Sequence, residues 1–155
     1  MIPRLNAWEA APAQMKAFNE FSTAMAKDGL EPSLQELVKI RASQINGCAY
    51  CLHMHTREAL KAGESEVRLT MLAAWREAPL YTARERAALA WTESLTRVSQ
   101  TNAPDEDYAE LGFEFTPEEQ VKLTMLIGII NAWNRFGVGF RSVHAGRPPV
   151  EAKAA

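Results

Sequence analysis

Apolar residues in this chain recur at intervals of three and four almost throughout, and glycine or proline falls between one periodic run and the next. That spacing places side chains on one face of a helix. A half-buried strand needs alternation at every second residue, and no stretch here alternates convincingly. The expected fold class is therefore all-α, a compact multi-helix domain. A first helix is predicted over residues 12–26, with Met15, Phe18, Phe21, Ser22 and Met25 along one side. Pro12 suits its first turn and Asp28-Gly29 its end. A second is expected over residues 33–45, closed by Asn46-Gly47, and a third from Cys48 to about residue 62, where Gly63 supplies the stop.

Residues 64–75 read as a short helix, which Pro79 separates from the next element. Thr82-Ala83-Arg84-Glu85 has the form of a capping box and opens a helix to residue 98, with Ala87, Ala88, Trp91, Leu95 and Val98 facing inward. A shorter helix is expected over residues 104–111. Thr116-Pro117-Glu118-Glu119 joins an N-cap, a proline at the first helical position and an acid at the third. The helix it opens is apolar on most sides between residues 121 and 140, which puts it at the centre of the molecule or at a subunit interface. Its Lys122, Asn131, Asn134 and Arg135 argue against a membrane span.

The 155 residues suit one domain over residues 1–145, followed by a flexible tail, 146–155, that carries Pro148-Pro149. With 17 basic and 19 acidic residues, the net charge of -2 generates no field that would attract nucleic acid or an anionic membrane. Small molecules or proteins are the expected partners. The opening residues Met1 to Asn6 lack the basic segment and apolar core of a secretory signal, and no stretch offers about 20 apolar residues in a row. A soluble, cytoplasmic protein is expected. In that reducing compartment a lone CxxC pair is more often catalytic or metal-binding than a permanent bridge.

Both cysteines and two of the three histidines fall within Cys48-Ala49-Tyr50-Cys51-Leu52-His53-Met54-His55. At the start of a helix, cysteines three positions apart have Cα atoms about 5 Å apart, inside the range a disulfide accepts. His55 lies one turn beyond Cys51 on the same face, where its imidazole can take the thiol proton. Peroxide reduction needs such a thiolate, a proton donor for the leaving oxygen and a second thiol to resolve the sulfenic acid. The helix start adds a positive field that lowers a cysteine pKa from about 8.5 to near or below 7.5. That field favours Cys48 while His55 favours Cys51, so spacing alone leaves the attacking sulfur open.

Glu36 is the candidate carboxylate for orienting His55. In an antiparallel pair of helices folded about Gly47 it lies opposite about residue 58, roughly one turn or 4.5 Å along the axis from His55. Ser33-Leu34-Gln35-Glu36 also has the form of a capping box, which would turn the same carboxylate back to the backbone. His53 projects away from the Cys51 and His55 face, and His144 reads as structural. Tyr50 either donates a hydrogen bond at the site or packs beside it. Trp75, Trp91 and Trp133 read as core or interface rather than ligand platforms, and Lys39 and Arg41 as solvated charges. Leu52 stands where a haem-attachment motif needs histidine.

Glu36, Cys48, Cys51 and His55, with the approach from Leu37 to Gly47, resemble the alkylhydroperoxidase D-like core of the carboxymuconolactone decarboxylase superfamily. The resemblance covers residues 33–63 closely and most of the remainder by helical layout. It implies that Cys51 attacks peroxide, that Cys48 resolves it, and that Glu36 and His55 form a proton relay. It further implies a homo-oligomer, trimer or hexamer, with a dithiol carrier or disulfide reductase as electron donor and no cofactor. The decarboxylase branch lacks the CxxC pair. The best-known peroxidase members carry histidine just before the second cysteine, where this chain has Tyr50, a phenol of pKa about 10 that is no base near neutrality. The expected activity is that of a thiol-dependent peroxidase acting on hydroperoxides. Two alternatives are a redox-sensing or interaction protein switched by the same disulfide, and a zinc-stabilised helical module built on Cys48, Cys51, His55 and either His53 or Glu36.

Overall fold

The computed structural model describes residues 2–27 and 29–142. Asp28, His144 and the tail 146–155 lie outside the described residues. Among the described residues the regular elements are all helical. They run α1 (Ala7–Ala10), α2 (Pro12–Ala26), α3 (Pro32–Asn46), α4 (Ala49–Lys61), α5 (Glu66–Met71) and a 3-10 turn (Leu72–Ala74). Then follow α6 (Ala83–Thr96), α7 (Val98–Thr101), α8 (Asp105–Glu114) and α9 (Pro117–Gly139). No helix among them is long and apolar enough to cross a membrane.

Local chemistry accounts for most of these boundaries. Both capping boxes form: Thr82 with Glu85 opens α6, and Thr116 with Glu119 opens α9 behind Pro117. Gly47 ends α3 in the left-handed region at φ 66°. Its N–H reaches the carbonyl of Gln44 and the Cys48 N–H that of Ser43, the Schellman ending that glycine permits. The alternative box at Ser33 does not form, because the capping position falls two residues earlier, at Glu31, with Pro32 opening α3. Helix α6 also stops earlier than expected, at Thr96, and Val98 is exposed rather than inward. Helices α1 and α7 are single turns, too short to leave a periodic signal.

Helix α3 organises the core because it buries more than one face. Leu34 and Val38 meet Ala88 and Trp91 of α6 and Leu123 and Ile127 of α9. Its adjoining face sets Leu37 and Ile40 against Ala59 of α4, Leu72, Trp75 and Leu89. Each such large side chain contributes about 1.5–3 kcal/mol by leaving water. Farther along, Ala42 joins Cys48, Cys51 and Ile130 in a third apolar cluster. Helix α9 is central from Leu123 to Asn134, yet Val121, Met125 and Val138 leave one edge exposed.

A polar clamp fixes α9 against the end of α3. Asn46 donates to the side-chain oxygens of Asn131 (2.9 Å) and Asn134 (2.8 Å), Asn134 donates to Ser43 (3.0 Å), and Asn131 donates to Thr96 of α6 (3.1 Å). Asn134 and Ser43 are fully buried, so each bond replaces one that water can no longer supply. The register of α9 beside Gly47 and Cys48 is thereby set.

Candidate active site

Cys48 closes one helix and opens the next. Its N–H completes the end of α3, it occupies the N-cap of α4, and its sulfur accepts the backbone N–H of Cys51 at 3.3 Å. Both cysteines thus stand where unpaired helix N–H groups favour a negative sulfur. They are joined as a disulfide, with Cα atoms 5.4 Å apart. Both are buried, at 1% and 3% exposure, but Cys51 lines a cavity and Cys48 sits behind it.

The hairpin of α3 and α4 delivers Glu36 to His55. Glu36 Oε2 lies 2.9 Å from His55 Nδ1, and its other oxygen accepts the Lys39 ammonium at 2.7 Å. Glu58 approaches the same Nδ1 at 3.7 Å. With Nδ1 engaged, Nε2 is the ring nitrogen left for the cavity, which His55 also lines. Burial pushes the Glu36 carboxyl upward, but hydrogen bonding and charge from His55, reinforced by Lys39, hold it below the usual carboxylate range. It is an anion at neutral pH. Lys39 is therefore no solvated charge: its side chain and that of Glu36 are each only 15% exposed. Arg41 is equally enclosed, bonded to Glu93 and Gln44.

The cavity holds about 700 Å³. The residues before α1 and α1 itself form one wall, tied down by Arg4, whose backbone N–H and guanidinium reach the carbonyls of Phe140 (3.0 Å) and Gly139 (3.1 Å) at the end of α9. Trp133 packs against the apolar cluster of Ala42, Cys48, Cys51 and Ile130, as a core residue does, and it also lines the cavity, while Tyr50 forms part of the exposed rim. Trp75 and Trp91 are core residues as expected. His53 is half-buried on α4 and outside the cavity lining. Gly137 is a site residue that helical periodicity does not single out. A β-carbon there would lie 2.6 Å from the Cys48 sulfur.

Glu36, His55 and Glu58 are the group among the described residues whose side-chain atoms converge closely enough to hold a metal ion. That set leaves out both sulfurs, which are bonded to each other, and Lys39 already occupies one Glu36 oxygen. It does not fit the Cys-based zinc module.

The model of the carboxymuconolactone decarboxylase family matches residues 12–94. The uncharacterized protein YdfG of Bacillus subtilis is 38% identical over 138 residues, 89% of this chain and 94% of that one. A crystal structure of a protein of unknown function from Agrobacterium tumefaciens, described as a candidate antioxidant defence protein AhpD, superposes with a TM-score of 0.92 at 42% identity. The match covers 94% of this chain and all of that one, 100%. An uncharacterized peroxidase-related protein from Ralstonia eutropha with an alkylhydroperoxidase AhpD core shares the fold at 22% identity, with a TM-score of 0.75 over 88% of this chain and 74% of that one. Since the family model spans more than half of the chain and the Bacillus and Agrobacterium relatives align over most of it, the chain belongs to the carboxymuconolactone decarboxylase family.

Proposed function

We propose that the protein is a thiol-dependent peroxidase that reduces hydroperoxides through a cycle of the Cys48–Cys51 pair. The observation that carries this reading is one arrangement: a CxxC disulfide at a helix start, with His55 held by Glu36, opening on an apolar cavity. Likeness to a candidate antioxidant defence protein supports it.

In the reduced enzyme, His55 takes the Cys51 proton, and the thiolate attacks the terminal oxygen of R–O–O–H. The O–O bond breaks, Cys51 becomes a sulfenic acid, and the alkoxide leaves as R–OH with the proton returned by His55. Cys48 then attacks the Cys51 sulfur, forming the disulfide and releasing the hydroxyl as water with the Cys48 proton. A dithiol carrier or disulfide reductase restores both thiols. Cys51 is the attacking sulfur on this reading because it lines the cavity, whereas Cys48 is the more deeply placed. We extend the reading to a cytoplasmic homo-oligomer, trimer or hexamer, to be checked by sedimentation.

The test is peroxide consumption driven by a reduced dithiol. Cys51→Ser should abolish it, while Cys48→Ser should allow at most one turnover and leave a sulfenate that a dimedone-type reagent traps. The reverse pattern would exchange the two roles, and full activity in both variants would end the reading. A redox sensor working through the same disulfide would lose both thiols to one equivalent of peroxide yet show no sustained turnover.

A further inference from the structure

Five aromatic rings cluster beside the redox pair. Trp133 is stacked with Trp8 at 6.5 Å and 19°, and packs tilted against Phe18 (4.7 Å) and Phe136 (5.9 Å), which leads on to Phe140 at 6.0 Å. All but Phe18 line the cavity. The Trp133 indole N–H is already bonded to Ser22 Oγ at 3.1 Å, so its polar edge is satisfied within the protein. Three other polar side chains of the lining are also engaged within the protein. Ser22 donates to the Phe18 carbonyl, Thr23 to that of Asn19, and Lys39 to Glu36. Around Trp133 the lining therefore offers aromatic faces, with the indole's polar edge already bonded, the surface on which a ring rather than a sugar packs.

Trp133 and Gly137 are four residues apart on α9, about 6 Å along the axis, and share one face. Gly137 is the residue that makes room for the two sulfurs. A ring resting on Trp133 is therefore about one helical turn from the disulfide. A peroxide joined to that ring through a single carbon spans a comparable distance.

We infer that Trp8 and Trp133 recognise an aromatic group, making an aryl hydroperoxide with one carbon between ring and O–O bond the preferred substrate class. The chemical step rests on the peroxidase reading, whereas the binding step does not.

Binding is tested on the oxidised protein, which cannot turn over, by titration with 2-phenyl-2-propanol or tert-butanol, followed by tryptophan fluorescence and calorimetry. Turnover is tested on the dithiol-reduced protein with cumene hydroperoxide against tert-butyl hydroperoxide, which differ by a phenyl in place of a methyl. The aryl alcohol should bind at least about tenfold more tightly and the aryl peroxide show at least about a tenfold higher kcat/KM, the scale of burying and stacking one ring. Both ratios should shrink to within about threefold in Trp133→Leu and in Trp8→Ala. The second variant, at a half-exposed position, keeps the test intact if the first folds poorly. No binding preference in the wild type, or one retained in both variants, overturns the inference. So does a fluorescence change that follows protein concentration rather than ligand, because a second copy would then fill the cavity. A binding preference without any turnover upholds the aromatic site and sinks the peroxidase reading alone.

Discussion

Gly137 on α9 abuts the sulfur of Cys48 so closely that a β-carbon would lie 2.6 Å from it and 3.6 Å from the sulfur of Cys51. The helix backbone thus forms the back wall of the redox pair. Gly137→Ala should cost the oxidised protein about 1–3 kcal/mol, the usual penalty for overfilling a packed site. The reduced protein should lose less, because a free Cys48 side chain can rotate away while a disulfide cannot. Urea unfolding with and without reductant measures the difference. An equal loss in both states would show that the sulfur is not what the glycine accommodates.

Glu36 is held anionic against its own burial by His55 and Lys39. Lys39→Met removes one of those supports, so the Glu36 carboxyl rises, and the acid limb of kcat/KM should move to higher pH. Glu36→Gln removes the charge altogether and should lower kcat/KM by roughly 10- to 100-fold at neutral pH, at the low end of what a proton relay supplies. Rate profiles against pH for the two variants and the wild type decide the matter. An acid limb unmoved by Lys39→Met would reduce that lysine to a structural charge.

Asn134 receives the Asn46 amide and donates to Ser43 from a position only 1% exposed. Asn134→Ala removes both bonds and leaves partners that water cannot easily reach. A loss of about 2–3 kcal/mol is expected in urea unfolding. Because Asn46 and Ser43 frame the turn that carries Cys48, disulfide closure should also slow, as thiol loss after one equivalent of oxidant would reveal.

Acid should unfold the protein partly through Glu119. The Arg84 guanidinium and the Thr116 backbone N–H hold its carboxyl down to about 2, against an ordinary 4.5. A carboxyl with a depressed folded pKa stabilises fully above its unfolded value, and that contribution is lost as pH falls between the two, where the unfolded chain binds more protons. Glu119→Gln keeps a side chain able to complete the capping box but carries no charge, so it should flatten the stability profile from pH 4.5 down to about 2. Urea unfolding repeated down through that interval is the measurement. A profile as steep as that of the wild type would assign the acid loss to other groups.

The all-helical class, the extents of α2 and α4 to within a residue, the two capping boxes and the CxxC at a helix start were all legible in the sequence. Each depends on residues within a few positions of one another, where hydrogen-bond closure and side-chain periodicity act directly. The Glu36–His55 contact was legible for a related reason: two helices joined by Gly47 leave little freedom in which residues face each other. By contrast, whether Glu36 capped its own helix or crossed to α4 depended on a two-residue shift of the α3 cap, from Ser33 to Glu31, which local signals do not separate.

Other features were decided only when distant segments packed. Lys39 looked like a surface charge until α4 enclosed it with Glu36, and Trp133, packed on the core as expected, became part of a cavity lining only when the residues around α1 came back across it. Gly137 carries no signal in its own neighbourhood, because the atom it makes room for is 89 positions away in the chain, 137 minus 48. Chain-local forces specified the helices and the chemical identity of the redox pair. The cavity that opens beside the pair, and the buried amides that hold α9 in register with it, depend on volumes and hydrogen bonds that exist only once α3, α4 and α9 meet.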